Sequence, residues 1–251
     1  MIDKEDRYGT RERQIELLRM IKEIDTILQK HGVKYSLYGG TLLGAVRDKG
    51  FIPWDDDIDI IVDRENFNKL ADAFKNETGS EYVLNDYLWV RRIQRSDDPR
   101  VGILKTTIDV FVADHCPDNI LLQKVKLFLI KMLQGMMKVE RNLSGVSFIY
   151  KICLIATGLI GKVFTTRFKL RMYDSVSQIG NGKESKYLGV YSELFKYLGL
   201  KYNSKMLAEN MTTQFEDTNL PIIKEYDYYL KLVYGDYMTP PPEEERKPIH
   251  L

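Results

Sequence analysis

Hydrophobic residues recur at helical spacing near the start of the chain. In residues 10–31 the apolar stripe consists of Ile15, Leu18, Ile21, Ile24 and Leu28. These positions fall on one face of a helix with 3.6 residues per turn. Thr10 is suited to cap its start, and Gly32 follows its end. The pattern therefore predicts an amphipathic first helix.

Shorter elements follow this helix. Residues 33–37 predict a short strand that leads into a turn at Gly39 and Gly40. Thr41 has the side chain of an N-cap, which predicts a short helix that runs to about Arg47. The apolar and polar residues from there on predict further strands and helices in alternation.

The next 60 residues or so complete a mixed core. Apolar and acidic residues alternate over residues 57–62, as expected for a strand, and Pro53 prevents a helix immediately before them. A helix is predicted over about residues 64–75. Three strand-like runs follow, at residues 81–84, 87–94 and 101–112. The first 115 residues thus predict a mixed α/β core.

The second half of the chain differs in charge. Residues 121–171 contain ten basic residues and a single acidic one, Glu140, so the segment carries a net charge of +9. Because the whole chain has a net charge of +1, the remainder sums to −8. The segment is also dense in Leu, Ile, Phe and Met, which predicts basic, apolar helices. The proline-rich stretch from Tyr234 predicts an extended tail.

Composition narrows the kind of protein. A chain of 251 residues that is 44% hydrophobic and 29% charged can bury a core. Cys116 and Cys153 form neither a disulfide framework nor a metal-ligand spacing. The longest nearly uncharged apolar run, residues 152–161, is far shorter than the roughly 20 residues of a membrane span. The charged start does not resemble a signal peptide. We therefore expect a cytoplasmic protein.

The candidate chemistry lies between Gly39 and Asp59. Asp57 and Asp59 are two residues apart in a predicted strand, so their carboxylates project from one face and can share a divalent cation. The paired glycines let a phosphate approach the backbone closely, and the following helix start offers free N–H groups. These are the parts of a phosphoryl-transfer site that uses Mg²⁺, or Mn²⁺ in its place.

Asp109 strengthens this interpretation. An acidic run before a strand is by itself more often a solvated loop, and paired glycines are often a plain turn. Asp109, however, lies inside the apolar run 107–112, where a lone carboxylate is costly to bury unless it is paired or binds a metal. Three carboxylates on neighbouring strands, beside a glycine turn, favour a metal-dependent site.

Three stretches of the chain resemble the LicD family, which has a nucleotidyltransferase fold and includes bacterial phosphocholine transferases and the fukutin-related proteins. The first and most specific stretch is YSLYGGTLLGAVRDKGFIPWDDDIDI, at residues 35–60. The others are TTIDVFVAD, at residues 106–114, and YGDYMTPPPEEERKPIH, at residues 234–250. The resemblance thus reaches both halves of the chain, with the middle poorly matched.

The resemblance implies an α+β fold. Residues 1–116 would form a nucleotidyltransferase-like mixed sheet core with flanking helices. Residues 117–251 would form a helical, basic portion that faces the acceptor or a membrane, with a C-terminal tail closing on the core. The implied reaction is Mg²⁺-dependent transfer of phosphocholine or a polyol phosphate from a CDP-activated donor, with release of CMP. The implied acceptor is a hydroxyl of a cell-surface glycan, such as lipopolysaccharide or teichoic acid, or of its lipid-linked precursor.

Individual residues take roles from the same resemblance. Asp57 and Asp59 match the family's metal-binding pair, and Asp109 matches the third carboxylate, either a metal ligand or the base for the acceptor hydroxyl. Val112 stands where many relatives have proline, a departure that affects the loop after Asp109. The zinc-binding cysteines of the fukutin-related branch are missing, so no structural zinc is expected.

Other residues are candidates for binding the donor. Besides Gly39 and Gly40, those predicted to reach its phosphates are Thr41, Arg47, Arg246 and His250. A solvated helix end explains Arg47 equally well, and an exposed tail explains the last two.

Two further positions lie beside the predicted carboxylates. Trp54 is suited to stack on a base or to pack beside Pro53. Asp55 and Asp56 are candidates for further metal ligands or for supporting residues, whereas a structural role is favoured for His31 and His115.

Several alternatives stay open. Residues 121–171 are interpreted as facing an anionic membrane surface, at its inner face, or as a lid; nucleic-acid binding ranks last. For the reaction, the alternatives are a nucleotidyltransferase that adds NMP from an NTP and a glycosyltransferase with a DxD motif. A glycan-binding protein with a vestigial site is disfavoured by the three intact carboxylates.

Overall fold

The computed structural model describes residues 6–76, 81–100, 105–138, 147–182 and 185–248. Its helices are α1 (Arg11–Lys30), α2 (Gly39–Arg47), α3 (Arg64–Asn76), α4 (Ile120–Met137), α5 (Phe148–Val163), α6 (Thr166–Ser177) and α7 (Tyr226–Tyr234). Its strands are β1 (Ser36–Leu37), β2 (Ile58–Asp63), β3 (Tyr82–Tyr87), β4 (Val90–Arg95), β5 (Thr107–His115), β6 (Tyr187–Val190), β7 (Tyr202–Asn203), β8 (Asn210–Phe215) and β9 (Thr218–Ile223). The α+β class is confirmed.

The chain divides into two compact units. The first comprises Met1–Asn85, Arg91–Val112 and Lys205–Leu251, and the second comprises Asp86–Val90 and Ala113–Ser204. Most of the predicted mixed core lies in the first unit, together with the C-terminal stretch. The basic helices lie in the second.

Helix α1 is confirmed, but its buried stripe differs from the predicted one. Ile15 is 49% exposed. The buried apolar residues are instead Leu17, Met20, Ile21, Ile24 and Leu28. Two polar side chains, Arg13 and Gln14, are buried in the same face, because they hydrogen-bond to loop carbonyls. The stripe is therefore rotated towards those loops.

The main sheet runs in the order β1-β2-β5-β4-β3. Strand β1 pairs antiparallel with β2, with Leu37 opposite Ile60, and β4 pairs antiparallel with β5, with Arg92 opposite Asp109. The predicted helix over 64–75 is confirmed as α3. The predicted strand over 57–62 begins at Ile58, so Asp57 lies in the loop immediately before β2.

The predicted turn at Gly39 and Gly40 is wrong in detail, because α2 already begins at Gly39. Its N-cap position is Tyr38, which makes no capping hydrogen bond with its side chain. The Thr41 hydroxyl does not cap the helix; it accepts a hydrogen bond from the backbone N–H of Asp59 at 2.9 Å. The start of α2 is thus hydrogen-bonded to the neighbouring strand β2. Local sequence patterns do not reveal such a long-range contact.

In the second unit, the predicted basic helices are confirmed as α4, α5 and α6. Each begins after a residue whose side-chain oxygen accepts a backbone N–H, as N-caps do: Asn119, Ser147 and Thr165. The end of β5 pairs with β6, and β6 pairs with β7. No helix among the described residues is long and apolar enough to cross a membrane.

Two basic residues of this segment are buried. Lys126 is fully buried, and its Nζ donates to the carbonyl oxygens of His115 at 3.0 Å and Ile179 at 2.9 Å. Lys169 is 9% exposed and donates to the Gly161 carbonyl at 3.1 Å. These two lysines bind backbone inside the unit, so they do not belong to its basic surface.

Candidate active site at the start of helix α2

The acidic loop before β2 is held in place by the first turn of α1. The Gln14 amide nitrogen donates to the carbonyl oxygens of Asp55 at 2.8 Å and Ile52 at 3.2 Å. The Thr10 hydroxyl donates to the Pro53 carbonyl at 2.7 Å. Because Thr10 is the N-cap residue of α1 and Gln14 lies in its first turn, the start of one helix anchors the backbone that carries the carboxylates.

Two carboxylates of this region lie against the glycine end of α2. Gly39 has a φ of +54°, and a Cβ atom built there would lie 2.7 Å from Oδ2 of Asp59. A Cβ atom at Gly40 would lie 3.0 Å from Oδ2 of Asp55. A side chain at Gly39 would therefore collide with Asp59. Helix N-termini also attract negative charge, so this end of α2 suits the two carboxylates.

Asp59 is fixed through its backbone as well. Its N–H donates to the Thr41 hydroxyl, and its carbonyl oxygen accepts from the N–H of Tyr38 at 2.9 Å. The helix start and β2 are thus joined on both sides of Asp59. The observed task of Thr41 is to hold this strand, whereas contact between Thr41 and a donor phosphate stays a prediction.

Asp55, Asp56 and Asp57 concentrate negative charge in a small volume. The pKa of Asp55 is raised well above its usual 3.8, first by removal from water, then by the charges of Asp57 and Asp56, and by a side-chain hydrogen bond with Asp57. Asp56 is only 1% exposed. Burial lowers the pKa of the Arg13 guanidinium. The nearby charges of Asp56 and Asp57 raise this pKa and offset part of the lowering. The carboxylates of the site thus repel one another, and a bound cation would reduce this repulsion.

This electrostatic strain predicts how stability depends on pH. The folded protein keeps the Asp55 proton to higher pH than the unfolded chain does, so the metal-free protein should lose stability as the pH rises above about 4 through the raised pKa. Asp55→Asn removes this contribution and should raise the melting temperature most at neutral pH. Thermal unfolding in a chelator, followed from about pH 5 to pH 8, measures it. A difference between the two proteins that does not grow with pH would contradict the assignment.

Binding of a magnesium ion, with substrate completing its ligands, stays a prediction for this site. Among residues 6–76, 81–100, 105–138, 147–182 and 185–248, no group of three or more His, Cys, Asp or Glu side chains is arranged to hold a metal ion. Mg²⁺ is commonly bound by one or two carboxylates, with substrate phosphates and water as its other ligands. Asp57 with Asp59 or Asp55 offers hard oxygen ligands of this kind.

Asp109 is paired with a residue that the sequence analysis did not single out. The Arg92 guanidinium binds it through two contacts, Nε to Oδ1 at 2.9 Å and Nη2 to Oδ2 at 3.0 Å. The Thr107 hydroxyl donates to Oδ1 at 3.1 Å. Asp109 is 8% exposed, so the cost of burying its charge is met by Arg92. Its role as a third carboxylate for metal or acceptor stays a prediction.

The predicted donor-binding basic residues occupy different places. Arg47, at the far end of α2, has a side chain only 7% exposed, forms an ion pair with Asp48 at 2.9 Å and donates to the Tyr237 carbonyl at 3.4 Å. The Arg246 guanidinium lies 5.4 Å from the ring centroid of Trp54, the residue before the acidic loop. The tail block therefore reaches the loop through Arg246. His250 lies outside the described residues.

Gln14 and Arg92 are the supporting residues that sequence reasoning missed. Gln14 lies on the same helical stripe as Leu17, Ile21 and Leu28. A polar residue in an apolar stripe is the sequence feature that could have indicated its buried, supporting role. Arg92 is polar inside the strand-like run 87–94. Its pairing with Asp109 depends on the register of β4 and β5, which the sequence alone does not give.

The candidate site lies within a range of the chain that matches a known protein family. Residues 32–113 match the family model described as LicD/FKTN/FKRP, nucleotidyltransferase domain, which spans α2, the acidic loop and Asp109. The chain is 25% identical over 264 aligned positions to the lipopolysaccharide cholinephosphotransferase LicD of Haemophilus influenzae, covering 96% of each protein. It is 34% identical over 68 positions to the human ribitol 5-phosphate transferase FKRP, covering 27% of this chain and 14% of that protein.

The match thus combines a domain that contains the site with a relative aligned over almost the whole chain. The segment shared with FKRP is short by comparison. Residues 32–113 thus form a domain of the LicD/FKTN/FKRP nucleotidyltransferase kind, and the similarity to LicD and FKRP supports an enzyme of the LicD type.

Proposed function

We propose that the protein transfers phosphocholine or a polyol phosphate from a CDP-activated donor to a hydroxyl of a surface glycan or of its lipid-linked precursor, releasing CMP. The observation that carries the proposal is the carboxylate cluster at the glycine end of α2, inside the matched domain. The relatives support the type of group: one is named for transfer of cholinephosphate to lipopolysaccharide and the other for transfer of ribitol 5-phosphate.

In the proposed reaction the acceptor oxygen attacks the phosphorus that bears the alcohol. The bond from this phosphorus to the oxygen shared with CMP breaks, CMP leaves, and the acceptor proton passes to a carboxylate of the site. Asp57 and Asp59 are proposed to hold Mg²⁺, which when bound neutralises charge developing on the phosphates. The N–H groups at the start of α2 are proposed to face the donor phosphates. Arg92 fixes the orientation of Asp109, the proposed third carboxylate.

The donor class is tested by binding. Isothermal titration of the Mg²⁺-loaded protein with CDP-choline, CDP-ribitol, CDP-glycerol, ATP and UDP-glucose should give the tightest binding for one of the CDP-alcohols. Tighter binding of ATP than of every CDP-alcohol would favour transfer of NMP instead, and tighter binding of UDP-glucose would favour glycosyl transfer. The nucleotide released on adding acceptor provides an independent readout.

We also propose that helices α4, α5 and α6 dock on the inner face of an anionic membrane. Their exposed apolar side chains include Leu121 (70%), Phe128 (61%), Phe148 (76%), Leu159 (61%) and Val163 (78%). Four basic residues of the same helices are exposed as well: Lys124, Lys162, Arg167 and Arg171. Apolar side chains beside exposed cations are typical of a protein that lies on a membrane surface. A lipid-linked acceptor would give such docking its purpose.

Membrane docking is tested by co-sedimentation with vesicles. Vesicles that contain phosphatidylglycerol should retain the protein at low salt and release it as salt shortens the screening length to about 10 Å at 0.1 M. Leu159→Glu should weaken retention, because it places a charge on the apolar face. Leu232→Glu, at a 41% exposed position of α7, is the matched control. Failure of these vesicles to retain the unaltered protein at low salt would rule out the docking.

A further inference from the structure

The second unit contains a large open pocket that none of the candidate carboxylates lines. Its volume is about 830 Å³, within the range of pockets that bind small molecules. The walls come from α4, α5, the turn between β3 and β4, and the loop after β6. The lining side chains include Trp89, Phe128, Lys131, Lys138, Cys153 and Lys196.

The walls of the pocket are apolar, and the helices at its base are closely packed. Helices α4 and α5 touch closely at Gly135, where a Cβ atom would lie 2.6 Å from the Thr157 hydroxyl. Beside this contact the buried Gln134 amide donates to the Glu193 carbonyl at 3.1 Å, which ties α4 to the loop after β6. Trp89 packs against the buried core of the unit. The base of the pocket is therefore formed by packed helices, and a loop contributes only part of its wall.

The charged groups at the pocket all have one sign. Lys131, Lys138 and Lys196 line it, and no Asp or Glu side chain does so among the residues that the structure describes. The Lys131 ammonium lies 4.4 Å from the ring centroid of Phe195, another lining residue. An apolar cavity whose cations have no lining carboxylate is complementary to a molecule with a hydrocarbon body and an anionic end.

We propose that this pocket binds the apolar chain of an anionic amphiphile, with the lysines facing its phosphate or other anionic group. The exposed Phe128 at the pocket provides an apolar route for a chain entering from a lipid surface. If the acceptor is lipid-linked, its carrier lipid is the natural occupant, and that identification alone rests on the proposed function. Binding itself requires neither the CDP donor nor the carboxylates at α2.

The test uses dodecyl phosphate, kept below its critical micelle concentration, in titration calorimetry with the full chain. We expect one molecule to bind per chain. Dodecanol, which has the same chain without the charge, should bind more weakly, and inorganic phosphate should not bind measurably. Replacing Lys131 or Lys138 by Gln should weaken dodecyl phosphate binding about fivefold for each lysine. Lys75→Gln, at an exposed position of α3 outside the pocket, should leave it unchanged.

Cys153 gives a direct test of where the probe binds. Its thiol is exposed and lines the pocket, whereas Cys116, the other cysteine, is buried. Cys153→Trp fills the cavity and should reduce affinity at least about tenfold, the effect of losing a buried hydrocarbon contact. Ile155→Trp, two residues further along α5 at a 49% exposed position, should not. In the unaltered protein, bound dodecyl phosphate should slow the reaction of Cys153 with a thiol reagent.

Each result decides the proposal. Absence of dodecyl phosphate binding, equal binding by Cys153→Trp in a protein that still unfolds cooperatively, or an unprotected thiol at saturating probe would overturn it. If dodecanol binds as tightly as dodecyl phosphate, the lysines do not bind the anionic group. That result would overturn the proposal that the ligand is anionic. Transfer to a short, water-soluble acceptor, measured in parallel, distinguishes this failure from a failure of the proposed function, because only the latter abolishes that transfer.

Discussion

Asp57→Asn and Asp59→Asn are each expected to reduce transfer by about 10²–10³-fold or more, the loss seen when one preorganised group facing developing charge is removed. Asp59 lies against the glycine end of α2, and Asp57 is hydrogen-bonded to Asp55. Asparagine keeps the shape of each side chain but removes the anion that a divalent cation requires. Steady-state release of CMP at saturating Mg²⁺ measures the effect.

The fold should survive both changes, because both residues are partly exposed and no apolar core residue is altered. Asp72→Asn, at an exposed position of α3, is a suitable control and should retain full activity. Near-normal turnover by either variant would show that the altered residue is not a metal ligand. Loss of activity together with loss of cooperative unfolding would leave Asp57 and Asp59 with a structural role only, against the prediction.

Arg92→Met should lower the free energy of unfolding by about 3–5 kcal/mol, the usual cost of breaking a buried ion pair by removing one partner. The side chains of Arg92 and Asp109 are 10% and 11% exposed, so water screens their interaction little. Methionine fills much of the space of arginine but leaves the Asp109 charge without its guanidinium. Urea unfolding followed by circular dichroism provides the measurement.

A matched control exists on the same strand. Arg95 also forms ion pairs, with Glu81 and Asp97, but those partners are 63% and 65% exposed. Arg95→Met should therefore lower the free energy of unfolding far less than Arg92→Met does. Adding Asp109→Leu to Arg92→Met should recover part of the lost stability, because the unpaired charge is then removed. A cost for Arg92→Met no larger than that for Arg95→Met would show that the pair is not an important part of the core.

Together these two predictions contrast two carboxylates expected to act in turnover with an ion pair expected to stabilise the fold. Asp57 and Asp59 should matter for turnover and little for stability. Arg92 should matter greatly for stability, since it offsets the burial of Asp109 on the neighbouring strand. If Asp109 also acts on the acceptor or the metal, Arg92→Met should reduce turnover in the fraction of protein that remains folded.

Local sequence patterns were sufficient to predict the elements that depend on contacts between residues close together in the chain. The 3.6-residue periodicity determined α1 and α3, and the basic, apolar composition determined the helical middle of the chain. The motif at residues 35–60 predicted a LicD-type domain, and the match to the family model over residues 32–113 includes that motif. It also placed the carboxylates and glycines together, because only a short helix and a loop separate them in the sequence.

Strands β6 to β9 were not predicted, for a physical reason. The pairing of β8 with β9 runs from Asn210 opposite Ile223 to Phe215 opposite Thr218. Several β8 side chains remain exposed, so the strand lacks the strong apolar alternation that indicates a strand. Its stability depends on backbone hydrogen bonds to a partner, which no local pattern records.

By itself the sequence predicted the LicD-type domain, the α+β class and a candidate chemistry for the acidic loop, because these depend on residue types and short spacings. Only the tertiary structure decided which side chains support that chemistry. Gln14 turns inward to hold the Asp55 carbonyl, and Arg92 meets Asp109 through the register of two strands. Both contacts join residues far apart in the chain, and the free energy that selects them is that of packing the whole fold.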